Sequence, residues 1–224
     1  MPRNREIDLF IFDVNETMFS LSEIKNRFIE SNLNSNLVDK WFNSTLKEGF
    51  ANSHNGKFID FFTVAKNELE KIFLVLKRNE CKKEIDFILD GFKKLMIHDD
   101  VKKSLELIYD ENYKIVTLTN GSKQITESML KHNDCEKYIN RCFSIDELKV
   151  WKPNKEIYKF VCSQMNCMPS KAIMIACHGW DISGASTAGL KTGYIQNYES
   201  KLSDFYAEPD FFSEDCFSLV KKII

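Results

Sequence analysis

Leu9-Phe10-Ile11-Phe12 is a short, wholly apolar run that ends abruptly in a carboxylate, Asp13, and is followed by Val14-Asn15-Glu16-Thr17. A strand buried on both faces of a parallel sheet reads as such a continuous run. Ligands of open α/β sheets bind outside the carboxyl ends of the strands. The run therefore predicts a buried strand that delivers Asp13 into a cleft, where a carboxylate can serve as nucleophile or metal ligand. A strand followed by a plain polar turn is the other reading, and this segment alone leaves both open. The runs Lys114 to Leu118, Ala172 to Ala176 and Thr192 to Ile195 read as further strands, and Cys142 to Ile145 as a shorter one. Helix-like sequence separates the later ones: Ser122 to Lys131, Asn154 to Met165, and the small-residue stretch Asp181 to Ala188, which stops at Gly189. Strands alternating with helices predict an α/β fold, a doubly wound, Rossmann-like parallel sheet.

Residues 19–95 read differently. Leu21 to Ile29, Leu37 to Gly49, Phe58 to Leu76 and Lys83 to Lys94 are helix-like, and Ser31 to Asn36 and Asn52 to Gly56 are mostly polar breaks. The expected organisation is an α/β core of residues 1–18 and 96–224 with a helical cap domain, 19–95, inserted after the first strand. Such a block would sit over the carboxyl edge of the sheet and exclude water from it. An ordinary helical layer without a gating role would look the same in sequence.

With 224 residues, 43% of them hydrophobic and 18 of them Phe, the chain has enough apolar material for a sizeable core. A formal net charge of −2 with Lys and Glu interspersed argues against a nucleic-acid partner. No apolar run approaches membrane-spanning length, and the N-terminal residues contain no secretory apolar region. Seven cysteines without a CxxC pair read as reduced thiols. The expectation is a cytoplasmic protein without a membrane partner. Cys162 and Cys167 lack a second pair to complete a zinc site, and His54, His98 and His132 form no spaced ligand set, so no metal is expected. His98, before Asp99-Asp100, reads as a surface helix start.

Four polar clusters follow the strand ends: Asp13 to Thr17; Thr119-Asn120-Gly121-Ser122; Val150-Trp151-Lys152-Pro153 with Tyr158 about two helical turns on; and Cys177-His178-Gly179-Trp180-Asp181. Each has a plain explanation by itself: a turn and helix cap at 120–122, a solvated helix start at Lys152, core packing for Trp180, an N-cap at Asp181. In this order and spacing, FDVNETMFSL, LTNGS, VWKPNKEIY and HGWDISGA together resemble the haloacid dehalogenase (HAD) superfamily, and within it the L-2-haloacid dehalogenases, over nearly the whole chain. The resemblance implies a HAD core with the helical block as cap, and a hydrolase that converts (S)-2-haloacids to (R)-2-hydroxy acids. Asp13 would displace halide, and water would then cleave the Asp13 ester. Thr17, Thr119 and Ser122 would orient the nucleophile and the substrate carboxylate. Lys152 would keep Asp13 ionised and stabilise charge developing in ester hydrolysis. Asp181 would position Lys152 or activate water, and Tyr158 would brace Asp13 or Lys152. Asn120 would contact halide. His178 falls where the dehalogenases usually carry Asn, and reads as a pocket contact beside Trp180. No cofactor is implied, the partner is a small 2-haloacid or related carboxylate, and homodimerisation is common in the family.

Three departures bear on the chemistry. HAD phosphatases carry a second Asp two residues after the nucleophile, to protonate the leaving alkoxide; here that position is Asn15, which is no acid. The place of a magnesium-binding Asp before Asp181 holds Ala176. A halide leaves as a stable anion and needs neither group, so both losses favour dehalogenation over phosphoryl transfer. The cap arginine that receives halide in dehalogenases has Phe42 as its nearest counterpart, and Phe42, Leu46 and Phe61 would make an apolar cap wall. That departure keeps two rivals in view: a phosphatase-like hydrolase of another small substrate, and a HAD-fold binding or regulatory protein with little catalysis.

Overall fold

The computed structural model describes residues 6–78, 80–196, 199 and 201–224. Among these, β1 (Leu9–Phe12), β2 (Lys114–Thr119), β3 (Arg141–Ser144), β4 (Ala172–Ala176), β5 (Lys191–Ile195) and β6 (Phe211–Ser213) form one parallel sheet in the order β3-β2-β1-β4-β5-β6. β1 lies inside it, with Phe12 opposite Thr117 on one side and Ile175 on the other. All four β1 residues are fully buried, as the unbroken apolar run requires. Helices α5 (Asp99–Asp110) and α9 (Cys216–Ile223) pack together, as do α7 (Lys155–Gln164) and α8 (Gly179–Thr187). The fold is thus the expected doubly wound α/β architecture. Strand order reverses between β1 and β4, and that switch point puts Asp13 beside Cys177 and His178 at the carboxyl ends of the strands.

Between β1 and α5 the chain is helical: α1 (Ser22–Glu30), α2 (Leu37–His54), α3 (Phe61–Val75), and α4 (Lys82–Asp90) prolonged by a 3-10 turn over Gly91–Lys94. Asp60 starts α3 by accepting from the Thr63 backbone N–H at 3.0 Å. The block has its own aromatic centre: Trp41 lies 5.6 Å from Phe28 and 6.2 Å from Phe92, ring centre to centre, and its indole N–H donates to Ala65 O. Two boundaries differ from expectation: α3 begins at Phe61 rather than Phe58, and α2 ends later. Helix α2 does not stop at Gly49 but continues to His54, past the start of the polar stretch at Asn52. Gly49 is instead a contact point, because a β-carbon there would collide with the Trp151 ring.

Trp151 joins the helical block to the sheet side. Its backbone N–H donates to Ser53 Oγ at 3.1 Å and its indole N–H to Ile59 O at 2.9 Å. Phe50 of α2 packs edge-on against both Trp151 and Trp180, with ring centres 6.2 and 5.0 Å away. No helix among the described residues is long and apolar enough to cross a membrane. The seven cysteines are free thiols.

Candidate active site

β1 ends where its backbone still pairs, Asp13 N–H donating to Ile175 O at 3.0 Å. The chain then doubles back, with Met18 N–H on Val14 O and Glu16 N–H on Phe19 O. Glu16 takes φ +66° to make this turn, a left-handed conformation that costs a residue with a side chain. The turn returns Thr17 to Asp13. The Thr17 hydroxyl accepts from Cys177 N–H at 3.1 Å, which leaves its proton to donate to Asp13 Oδ2 at 2.7 Å.

Lys152 enters from the loop before α7 and is fully buried. Its ammonium donates to Asp13 Oδ1 at 2.7 Å, Asp181 Oδ2 at 2.7 Å and Leu118 O at 2.9 Å, which uses all three protons. Asp181, in the first turn of α8, is as fully buried, and its other oxygen accepts from Tyr158 Oη at 2.5 Å. Asp181 is therefore not an N-cap. Tyr158 braces Asp181 rather than Asp13 or Lys152, because α7 and α8 lie side by side. On the opposite side of the nucleophile, His178 Nδ1 lies 3.3 Å from Asp13 Oδ2, and Nε2 lies 3.0 Å from Glu16 Oε2.

These neighbours set the charge states. Burial alone would raise the Asp13 pKa, but the Lys152 ammonium and His178 outweigh it and hold the carboxyl well below its ordinary range. Burial pulls Lys152 down, and the two carboxylates more than restore it, so its pKa is raised. For Asp181 burial prevails over the pull of Lys152, and the nearby Asp13 charge adds to it, so the pKa is raised. Burial and the Asp181 charge push the Tyr158 phenol well above its ordinary value, which keeps it a donor. Burial opposes a charge on His178, yet Cys177, Asp13 and Glu16 together hold it well above its ordinary range. The result is an ionised, desolvated carboxylate flanked by two cationic groups, an arrangement suited to nucleophilic attack.

Residues 8–195 match the family model for haloacid dehalogenase-like hydrolases. The chain belongs to that family. It is 24% identical over 159 residues to (S)-2-haloacid dehalogenase 1 of Pseudomonas sp. strain CBS-3, covering 70% of this chain and 69% of that protein. It is 26% identical over 125 residues to a phosphorylated carbohydrates phosphatase of Thermotoga maritima, covering 50% and 57%. Its fold superposes with a TM-score of 0.89 on L-2-haloacid dehalogenase from Xanthobacter autotrophicus with chloropropionic acid covalently bound, at 15% identity, covering 97% and 98% of the two chains.

Around the charged centre, the other expected residues of this HAD hydrolase divide into two sets. Asn120 Oδ1 accepts from Lys152 N–H at 2.9 Å, which fixes the amide, while its Nδ2 is buried without a partner. Asn15 Oδ1 is likewise buried and unpartnered. Trp180 stacks on His178, with ring centres 5.3 Å apart, and lies 5.6 Å from the Lys152 ammonium. The remaining residues serve the frame. Thr119 Oγ1 accepts from Gly121 N–H at 2.8 Å, and Ser122 caps α6 (Lys123–His132), donating to Gln124 Oε1. Neither of these contacts involves Asp13, whose hydroxyl partner is Thr17. Phe42 and Leu46 are buried in the helical block; Phe42 packs on Trp41 and Phe61, and Phe61 meets Trp151 with ring centres 6.2 Å apart.

Three contributors were not expected from sequence: Glu16, Cys177 and Phe50. Glu16 was visible in the opening motif, but its role follows only from the left-handed turn that aims it at His178. His98 does start α5, yet its ring reaches Glu16 O at 3.2 Å rather than standing free at the surface.

Magnesium, which the HAD phosphatases use, does not fit these residues. Lys152 occupies one oxygen of Asp13, Asn15 offers an amide, and Ala176 has no donor. Among the described residues, no three His, Cys, Asp or Glu side chains are grouped to hold a metal ion.

Proposed function

We propose that this HAD hydrolase cleaves the carbon–halogen bond of a small (S)-2-haloacid and releases the (R)-2-hydroxy acid. The observation that carries this reading is the nucleophile's setting: Asp13 is ionised by Lys152 at 2.7 Å, while the neighbouring position that would supply an acid is Asn15. Asp13 attacks the carbon bearing halogen from the side opposite the leaving group, which inverts the centre and forms an ester. Halide needs no proton. Water then attacks the ester carbonyl, the hydroxy acid departs, and Asp13 is regenerated. Lys152 holds Asp13 ready and stabilises charge during hydrolysis. Asp181, gripped by Tyr158, holds Lys152. The unpartnered Asn120 Nδ2 is a donor for the departing halide. Thr17 orients Asp13, and Trp180 walls the pocket. The helical block 19–95 acts as a cap over a core of 1–18 and 96–224, with Phe50, Trp151 and Trp180 at the seam.

Phe42 favours a second reading, in which the same ester chemistry serves another small substrate. Buried against Trp41 and Phe61, Phe42 offers no cation for a halide, and losing one such donor costs on the order of 10²–10³ in rate.

The test is halide release from (S)- and (R)-2-haloacids, chloroacetate and fluoroacetate, without metal, with Asp13→Asn as control. Stereoselective release lost in the variant is the expected result. Absence of release from folded protein, or magnesium-dependent turnover of phosphoesters, would overturn the dehalogenase reading.

A further inference from the structure

We propose that His178, held by Glu16, is the oxyanion donor for hydrolysis of the Asp13 ester, and that Asp13 Oδ1 is the attacking oxygen. The inference rests on the ester mechanism above and assigns its atoms.

The first part follows from counting donors at Asp13. A carboxylate oxygen has about two lone pairs in hydrogen-bonding directions. Oδ2 accepts from the Thr17 hydroxyl at 2.7 Å and faces His178 Nδ1 at 3.3 Å, so both of its positions are used. Oδ1 accepts from Lys152, which leaves one position for an incoming carbon. Oδ1 therefore forms the ester bond, and Oδ2 becomes the carbonyl oxygen, already facing two donors.

The second part follows from what flanks the imidazole. Nδ1 faces the Asp13 carboxylate, and Nε2 faces Glu16 Oε2 at 3.0 Å. A carboxylate oxygen thus faces each ring nitrogen, the arrangement that suits an imidazolium donating from both. Near the ring, too, are the Cys177 thiol, the Trp180 face and, beyond them, Tyr194 and Glu199. Glu16 lines a surface recess of 250 Å³ with Lys25, Asp39 and His98.

In the step itself, water oxygen bonds to Asp13 Cγ, and the carbonyl pair moves onto Oδ2, where Thr17 and His178 receive it. The carbonyl then re-forms, the Cγ–Oδ1 bond breaks, and Oδ1 leaves on the hydroxy acid. One water proton ends on that hydroxyl and the other in bulk solvent. Lys152, beside Oδ1, stabilises the departing oxygen. His178 keeps its proton throughout, so hydrolysis declines as pH rises through its titration. A general base would give the opposite limb.

The experiment follows halide and hydroxy acid separately, with the Asp13 ester monitored by intact mass. In His178→Ala, halide appears in one rapid equivalent, the ester accumulates, and hydrolysis slows by about 10²–10³, the usual effect of losing one oxyanion donor. His178→Asn, an amide donor that does not titrate, recovers at least tenfold over His178→Ala and lacks the alkaline decline. Glu16→Gln, which removes the charge holding the imidazolium, moves that decline to lower pH. If wild type releases halide but His178→Ala accumulates no ester, or if hydrolysis rises with pH through the titration, this inference alone is overturned. If neither protein releases halide nor gains mass from any haloacid, the ester mechanism falls, and the inference with it.

Discussion

Replacing Lys152 by Met tests the charged centre most directly. The ammonium lies 2.7 Å from each of two carboxylates, in a site where Lys152 and Asp181 are fully buried. At an effective dielectric of about 20, each contact is worth about 6 kcal/mol of Coulomb attraction. Desolvating the ammonium consumes several kcal/mol of this, so the expected net loss on removing it is about 3–5 kcal/mol. The variant leaves Asp181 without a cation, whereas Asp13 still faces His178. The loss is therefore pH-dependent. In the wild type, the Asp13 pKa is depressed by folding, so its contribution is present above the unfolded value and is lost as pH falls through the folded one. In Lys152→Met, desolvation dominates and raises the folded pKa of Asp181 further above the unfolded value. Stability then falls as pH rises through that folded pKa. The gap between the two proteins is widest near pH 8 and narrows toward pH 5. Urea unfolding at several pH values measures it, and Asp181→Asn in the Lys152→Met background should recover part of the loss. A gap below about 1 kcal/mol near pH 8, where one of about 3–5 is expected, would refute the reasoning, as would one that does not narrow in acid.

Three other outcomes are expected. Asp13→Asn should retain the fold, measured by circular dichroism, and release halide no faster than a protein-free control. Phe42→Arg should not create a halide site: the side chain lies against Trp41 and Phe61, and an unpaired buried cation there costs about 3–5 kcal/mol, readable as a lower urea midpoint. A gain in halide release with unchanged stability would show that position 42 faces the substrate. Gly49→Ala drives a methyl into the Trp151 ring; overpacking of this kind costs about 1–3 kcal/mol, and a displaced Trp151 should also disturb the adjacent Lys152 and reduce turnover. Wild-type stability in that variant would mean that the α2–Trp151 contact is loose.

The parallel sheet was legible because a strand buried on both faces leaves a mark that needs no partner to be read. β1 and β4 are fully buried runs, and their sequences announce it. β6 and α9 went unread. β6 is a three-residue edge strand with Phe212 exposed, so neither length nor alternation marks it. The continuation of α2 past Gly49 was hidden for another reason: glycine reads as a helix stop, but here it admits the Trp151 ring, a residue about a hundred positions away. The same limit applies at the site. Asp13, Lys152 and Asp181 were visible as polar residues that follow strands in a set order. Tyr158 was visible too, although its partner was not, because which oxygen it reaches depends on how α7 lies on α8. Glu16 was invisible as a participant, since a left-handed backbone turn and the identity of residue 178 jointly decide where it points.

Two amide atoms bear on whether this arrangement is only architectural. Asn120 is oriented by the Lys152 backbone N–H, so its Nδ2 is held facing away from that contact, buried and without an acceptor. Asn15 Oδ1, in the turn after the nucleophile, is buried without a donor. Leaving such a group unmet costs about 1–3 kcal/mol each, a large share of the roughly 5–15 kcal/mol that keeps a domain folded. A chain that kept only the scaffold would have no use for either unmet atom. A chain that binds a small polar ligand there has use for both: the Asn120 donor suits an anion such as halide or carboxylate, and the Asn15 acceptor suits a water beside the nucleophile. Asn15 stands two residues after the carboxylate that Lys152 and His178 hold in place, and Asn120 is bonded to the Lys152 backbone, so the same few residues that cost the fold stability are those that the ester mechanism would employ.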